Sequence, residues 1–335
     1  MDSVCIINND MGLVDDKSIV LTIAIPTFKR YSLLKETLNS VFSLNFTIPI
    51  EVIIVDNDPE NKNMVLEVMR EFKTQKFKYY KNVENYGMFN NWNRCLELAK
   101  GELITILHDD DILDASFQFE FEKVYKGYKC PSDFYLVGFN VNIFDQREVS
   151  IKVKKNLCFK LIEKISRTIK KIFSSDSVDK LKKVSLQDLF LSGKFRGTLG
   201  VVMNRKRALN ISGFDEKLYP NADYDFWLRW AQEYGFILYK NVKVGYYRIA
   251  ENESLRSDVI NQYILKNYEV RMRLVSEEVV LKNASKIAGI IKDIEEYSFK
   301  INLMSCDEFN VNLRDLCRFS FLKIKYYFMS KFLIK

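Results

Sequence analysis

Three consecutive carboxylates, Asp109, Asp110 and Asp111, follow the apolar run ELITIL and the chain's single histidine, His108. Adjacent like charges repel, so such a cluster becomes stable when it grips a hard divalent cation. Mg2+ characteristically takes one or two carboxylates, several waters and the phosphate oxygens of a substrate. The other reading is a solvated acidic turn, with Asp114 capping the helix beyond it. Two further apolar runs end in distinctive polar groups: SIVLTIAI leads into PTFKR at 26–30, and IEVIIV leads into DNDPE at 56–60. Much later, NADYDFW at 221–227 places Asp223 and Asp225 two residues apart.

The elements that must position these residues follow from hydrophobic period. SIVLTIAIP, IEVIIVD, FKYYKN and ELITILHD are short, apolar and β-branched or aromatic, as strands covered on both faces are. Between them, YSLLKETLNSVFSL, NMVLEVMREF and MFNNWNRCLELAKG carry apolar residues at helical spacing, the last with Gly101 as its C-terminal stop. Strand and helix alternate four times within about 110 residues, which implies right-handed crossovers and a doubly wound, mostly parallel α/β sheet. In such sheets ligands bind outside the carboxyl ends of the strands. The three polar groups therefore point at one crevice. Beyond residue 130, DFYLVGFNVNIFD reads as a longer strand, GKFRGTLGVVMNRKRAL as strand and turn, and GFDEKLYPNADYDFWLRWAQEYG as a loop feeding a helix. FILYKNVKVGYYRIAENESLR alternates like a pair of strands with one exposed face, and the chain from about 256 is mainly helical.

The 335 residues, 47% of them apolar, suffice for one large domain with an appendage. The net charge of +7 is unevenly placed. Residues 151–184 hold eleven Lys/Arg against three acids, and 318–335 hold five Lys/Arg and no acid, so the rest of the chain is net acidic. This points to a local anionic partner rather than a uniformly basic surface. No nucleic-acid recognition motif accompanies the basic segments. Six cysteines without a C-x-x-C pair, and one histidine, argue against a zinc site and for reduced thiols in a cytoplasmic protein. The first sixteen residues lack the features of a secretion signal, and no run approaches the roughly 18 apolar residues of a membrane span.

LTIAIPTFKRYSLLKETLNSV, EVIIVDND, NVENYGMFNNWNRCLELAKGELITILHDDDIL and GFDEKLYPNADYDFWLRWA occur in the order and spacing of family 2 glycosyltransferases, which the chain resembles over roughly residues 19–250. The resemblance implies a GT-A fold over 18–250, with a basic insert at 151–184 and a helical C-terminal region at 251–335. It also implies an inverting enzyme that uses a nucleotide-diphospho-sugar, UDP-linked, and Mg2+ or Mn2+. By that resemblance Pro26, Thr27 and Arg30 border the nucleotide, and Asp56 accepts a hydrogen bond from the base. Asn85 and Gly87 belong to a loop lining the nucleotide, and Asn93 lies on the helix that follows. HDDD occupies the D-x-D position. Aligned on Ile112, Asp110 is the metal ligand and Asp109 lies nearer the ribose or diphosphate; which carboxylates touch the metal is open by one position. Asp111 is a supporting acid. His108 stands where relatives place the first Asp, or is a hydrogen-bonded strand-end residue. Asp223 is the general base, with Asp225 as the alternative by register and helix capping as the competing role. Ala222 replaces a Glu common in the family. Arg248 either reaches the diphosphate or makes a surface ion pair, and Ala250 replaces a His.

An acceptor hydroxyl on a saccharide or on a polyprenyl-diphosphate-linked saccharide, as in O-antigen or capsule synthesis, is the expectation for such an enzyme. The basic, aromatic segments at 157–173 and 318–335 would then lie against an anionic membrane, at the inner face of the plasma membrane. They would otherwise pack on the catalytic domain with lysines outward. Two other functional readings compete. A nucleotidyltransferase would favour a glycine-rich phosphate loop, which PTFKR is not. A non-catalytic nucleotide-sugar-binding or scaffold protein would be compatible with Ala222 and Ala250.

Overall fold

The computed structural model describes residues 1–9, 19–146, 180–250, 256–277, 279, 284–302 and 313–332. The basic stretch 151–179, including the helical apolar spacing read at 157–173, lies outside these residues.

The parallel centre arises where the apolar runs are longest. Strands β2 (Leu21–Thr27) and β3 (Ile50–Asp56) are buried almost throughout. They pair in parallel with each other, and then with β5 (Leu103–Ile106) on one side and β4 (Lys78–Asn82) on the other. Helices α1 (Tyr31–Phe42), α2 (Lys62–Met69) and α3 (Met88–Leu98) make the crossovers. The sheet is extended by β1 (Ser3–Asn8), antiparallel on β4, and by the short β6 (Ile112–Leu113). Beyond β6 come α4 (Ala115–Tyr125) and the long strand β7 (Leu136–Asp145). The later part of the sheet contains β8 (Leu181–Val184), β9 (Val201–Asn204) and β10 (Ile237–Ile249). Among the described residues the ten strands run in the order β1-β4-β3-β2-β5-β9-β7-β10-β6, with β8 on β10. The α/β class and the doubly wound, GT-A-like layering expected from the sequence are borne out. Antiparallel β9 joins the parallel centre to the later strands.

The two faces of the sheet carry separate cores. One packs the sheet against α1, α2 and α4, through Leu34, Leu38, Val65, Phe117 and Phe121. The other packs it against α3 and α7 (Ala222–Tyr234), through Phe89, Trp92, Phe226 and Trp230, and extends into the C-terminal helices α8 (Ser257–Ser276) and α9 (Ala284–Asn302). Short helices α5 (Leu186–Leu191) and α6 (Arg205–Asn210) complete the middle of the chain, and α10 (Leu313–Phe332) ends it.

Two local expectations are corrected. The pair of strands read between Phe236 and Arg256 is one strand, β10, parallel to β7 through two register shifts. Its turn-like Asn241 instead accepts a hydrogen bond from the Asn140 amide at 2.8 Å. Gly101 does not stop α3, which ends at Leu98 with Ala99 extended. A Cβ at Gly101 would lie 2.7 Å from the Thr22 backbone nitrogen, so this glycine permits a close approach of chains instead. The last four residues of the basic insert, 181–184, form strand β8, antiparallel to β10.

Candidate active site

β5 ends at Ile106, and its continuation turns back on itself, with the Asp111 N–H donating to the His108 carbonyl at 3.2 Å. This turn sets the four residues HDDD in one corner and is tied on two sides. From α1, the Thr37 hydroxyl donates to the Asp111 carbonyl at 2.8 Å. From β10, the Arg248 Nε donates to the Asp110 carbonyl at 2.8 Å and the Arg248 N–H donates to Asp111 Oδ1 at 3.1 Å. All three aspartates are buried. Asp114 accepts from the Ser116 N–H and caps α4, so capping and an acid cluster coexist here on different residues.

Within the corner the carboxylates divide their partners. Asp109 takes the Thr27 hydroxyl at 2.7 Å and the Phe28 N–H at 3.4 Å. Arg30 reaches across from the end of β2 to Asp110 at 2.7 Å and to Asp109 at 3.4 Å. Burial, with the Asp110 charge beside it, pushes the Asp109 carboxyl up to about 6 against the pull of Arg30. Asp111 is pushed well above the usual carboxylate range by burial and by Asp110. Its Oδ2 accepts no hydrogen bond and faces His108 Nδ1 at 3.5 Å. His108 stacks on Trp92 with centroids 4.7 Å apart, and burial lowers its pKa against the pull of Asp110, which favours the neutral imidazole.

One ligand atom each from His108, Asp110 and Asp111 lies within 4.8 Å of the other two. A buried carboxylate oxygen without a hydrogen-bond donor, a neutral imidazole and a second carboxylate are a fitting ligand set for a divalent cation. Arg30, whose side chain is 41% exposed, brings positive charge to the same acids.

The neighbouring strand ends are polar networks. Asp56 is fully buried and accepts from Lys81 Nζ, the Tyr79 hydroxyl and the Asp58 N–H, each at 2.9 Å. Burial raises its pKa although Lys81 opposes the rise. The acceptor role that the resemblance implies toward a base is met here by the protein's own groups. Pro26 lies in β2, paired in register with Val55, and directly precedes Thr27. Asn85 and Gly87 form a loop locked to the end of β3: Asn57 donates to Asn85 Oδ1 at 2.6 Å and to the Gly87 carbonyl at 3.1 Å. Gly87 has φ +85°, and a Cβ there would meet Glu216 Oε1 at 2.4 Å. Asn93 spends both ends of its amide on the Phe214 backbone, at 2.7 and 2.8 Å, and thereby pins the loop that leads into α7.

That loop delivers Asp223 and Asp225, and their surroundings separate them. Asp225 is buried in an ion-pair cluster with Arg229 at 2.6 Å and Arg273 at 2.5 Å. Asp223 lies in the first turn of α7, after Asn221 at the cap position, and its carboxylate receives the backbone N–H groups of Asp223 and Tyr224. Burial pushes the Asp223 carboxyl up to about 6.

Residues 22–151 match the family model described as glycosyl transferase family 2. Over this segment, the part of the chain that forms the parallel centre of the sheet, the chain is similar to that family. It is 28% identical over 240 residues to the GalNAc(5)-diNAcBac-PP-undecaprenol beta-1,3-glucosyltransferase of Campylobacter jejuni, a match that covers 70% of this chain and 66% of that one. It is 26% identical over 262 residues to an uncharacterized glycosyltransferase of Methanocaldococcus jannaschii, covering 76% and 79% of the two chains. Among solved structures, the fold is similar to S. aureus TarS 1-349 in complex with UDP-GlcNAc (TM-score 0.52, 13% identity, 92% of this chain and 91% of that one). It is also similar to the mannosyltransferase PcManGT of Pyrobaculum calidifontis in complex with GDP-Man and Mn2+ (TM-score 0.55, 13% identity, 94% and 88%).

Several residues that shape the site carry no local signal in the sequence. Asn57 and Glu216 organise the 85–90 loop; the Glu216 carboxylate accepts from the Asn90 N–H at 2.9 Å. Glu36 and Gln146 receive the Arg248 guanidinium, which faces the back of the acid corner. Thr198, on the turn before β9, meets His108 Nε2 at 3.2 Å. Apart from those of Asn57, these contacts join residues 90 or more positions apart, so only the fold brings them together.

Proposed function

We propose that this protein is a metal-dependent, inverting glycosyltransferase. In this reading it moves a sugar from a nucleotide-diphospho-sugar, UDP-linked, to a hydroxyl of a lipid-linked saccharide during cell-surface polysaccharide synthesis. The observation that carries the reading is the convergence of His108, Asp110 and Asp111 at the carboxyl end of β5, with one buried oxygen lacking a hydrogen bond. In a doubly wound sheet this is where a nucleotide binds. The cation, when bound, would neutralise charge on the departing diphosphate. Arg30, beside it, would exchange its contacts with Asp109 and Asp110 for the phosphates, which a guanidinium matches in geometry.

Asp223 fits the general base. Inversion is a single displacement at the anomeric carbon: the acceptor oxygen bonds as the diphosphate leaves from the opposite face, and the acceptor's proton passes to a carboxylate. A base with a pKa near 6 is ionised at neutral pH yet basic enough to accept that proton. Asp225, held by Arg229 and Arg273, is committed to structure.

The lipid-linked acceptor is supported by the Campylobacter relative, whose name specifies an undecaprenol-linked saccharide. Among the described residues no helix is long and apolar enough to cross a membrane. Access to such an acceptor would come through peripheral contact at the cytoplasmic face. The outer face of α10 suits that role, because Arg318, Phe321, Lys325 and Phe328 share one exposed stripe.

The test is nucleotide release from a panel of nucleotide-sugars, with EDTA and with Mn2+ or Mg2+ added back. The expected result is acceptor-dependent release that EDTA stops and the cation restores. A second reading, a non-catalytic nucleotide-sugar-binding protein, rests on Ala222 and Ala250 in place of the Glu and His of relatives. Ligand-induced thermal stabilisation without any turnover would select it.

A further inference from the structure

The hydroxyl of Thr198 is fully buried and lies between two groups: the Ile106 carbonyl at 2.8 Å and His108 Nε2 at 3.2 Å. A hydroxyl has one hydrogen, and a carbonyl can only accept. The shorter contact therefore uses the Thr198 hydrogen, and toward His108 the oxygen offers lone pairs. In the neutral form, which has one N–H, that hydrogen then sits on Nε2, where it can be donated to the Thr198 oxygen. The bare Nδ1 is left facing Asp111 Oδ2 at 3.5 Å. That distance is long for a hydrogen bond, and Oδ2 takes none.

The ring has no easy way out of this arrangement. Trp92 stacks on its face at 4.7 Å. On its edge, a Cβ at Gly197 would sit 2.9 Å from Cε1; Gly197 has φ +59°, so the turn before Thr198 lies flush against the imidazole. The opposing oxygen is fixed as well, since Asp111 Oδ1 holds the Arg248 N–H. Two lone-pair atoms held face to face repel unless a proton or a metal cation joins them.

We propose that Thr198 is a positioning residue. It fixes His108 as the Nε2–H tautomer, so that Nδ1 and Asp111 Oδ2 are presented together, with Asp110, to one divalent cation. The inference rests on the reading of the corner as a cation site and adds the device that arms its nitrogen ligand. It also implies a metal preference. Mg2+ favours all-oxygen surroundings, whereas an imidazole ligand suits a transition ion such as Mn2+ better.

The single histidine makes the test direct, because 15N-histidine labelling of the full chain gives one imidazole spin system. In metal-free protein at pH 8, long-range 1H–15N correlation is expected to show Nε2 protonated and Nδ1 bare. Added Mn2+ is expected to broaden the His108 ring signals. Thr198→Val keeps the shape and removes the hydroxyl. It should move the proton to Nδ1 and weaken Mn2+ binding by roughly 10–100-fold, the usual effect of losing a group that orients a metal's histidine ligand. Thr198→Ser should restore both. A wild-type imidazole protonated on Nδ1 overturns the proposal, as does a folded Thr198→Val protein with unchanged tautomer and affinity. If Thr198→Val fails to fold, the wild-type and Thr198→Ser spectra still decide. EDTA-sensitive transfer without broadening at His108 overturns this inference alone. Transfer indifferent to EDTA overturns the cation reading of the corner as well.

Discussion

At the scale of single residues, the chemistry depends on which carboxylates remain free to act. Asp223 and Asp225 are two residues apart and identical in type, yet one is tied by two guanidiniums and the other is held at a pKa of about 6 by burial. Asp223→Asn is expected to lower kcat by about 10²–10⁴ while nucleotide-sugar affinity changes little, because a general base contributes about that much. Assays of turnover beside thermal-shift binding would check this; undiminished turnover sinks the assignment. The pH dependence has a definite sign. The base acts when deprotonated, so kcat/KM should fall about tenfold per unit below pH 6 and level off above it. Stability runs the other way. The folded state holds the Asp223 proton more tightly than the unfolded chain, so this group's contribution is lost as pH rises from about 4 through 6. Asp223→Asn should therefore be no less stable than wild type at pH 7. Asp225→Asn should behave oppositely, losing stability by about 1–3 kcal/mol; breaking a buried pair costs more, but Arg229 and Arg273 are partly exposed. The sequence could not separate these two acids, since a register of two residues on one helix start looks alike until Arg273, 48 positions away, is placed.

At the scale of elements, the parallel strands were legible because burial on both faces writes itself as unbroken apolar runs. Their polar ends could be read as one crevice because all parallel strands finish on the same side. What could not be read was how β10 closes the site from behind. Its residues pair with β7, β6 and β8, and pairings across 53 to 134 residues leave no local pattern. Arg248 is the clearest case. Its type suggested a phosphate contact or a surface pair, yet it is buried and donates to the Asp110 carbonyl, to Gln146 and to Glu36. It thus holds the acid turn against β10. Arg248→Met should leave the Asp110 carbonyl without that donor and cost about 1–3 kcal/mol, read by urea unfolding. It should also loosen the ligand geometry and weaken Mn2+ binding by roughly 10–100-fold. Arg248→Lys should recover only part of either loss, because an ammonium cannot span three acceptors as a planar fork does. A variant that lost stability but bound Mn2+ as before would separate the two roles and reject the second.

At the scale of the whole molecule, the question is how a domain without a membrane-spanning helix among its described residues would meet the proposed lipid-linked acceptor. The last helix, α10, is anchored on one side: Phe319 and Leu322 are buried, and the Tyr326 hydroxyl donates to the Leu191 carbonyl at 3.0 Å. Its other side exposes Phe321 by 64% and Phe328 by 50%, interleaved with exposed Arg318 and Lys325. The steps of three, four and three residues place all four on one face. Phe321, largely exposed beside cations, is poorly explained by packing on the domain, and with the half-exposed Phe328 it suits an anionic interface that takes the rings into the acyl boundary and the cations at the headgroups. Each basic residue near such a surface contributes about 1 kcal/mol, falling with added salt. The full chain is therefore expected to sediment with phosphatidylglycerol vesicles at low salt and to release at high salt. Phe321→Ser with Phe328→Ser should reduce binding at least tenfold, and Arg318→Gln with Lys325→Gln should remove most of the salt dependence. Both pairs leave the buried face of α10 intact, so turnover on a water-soluble acceptor should persist while transfer to a vesicle-borne acceptor falls. Equal loss with both acceptors would instead make α10 a structural support of the domain.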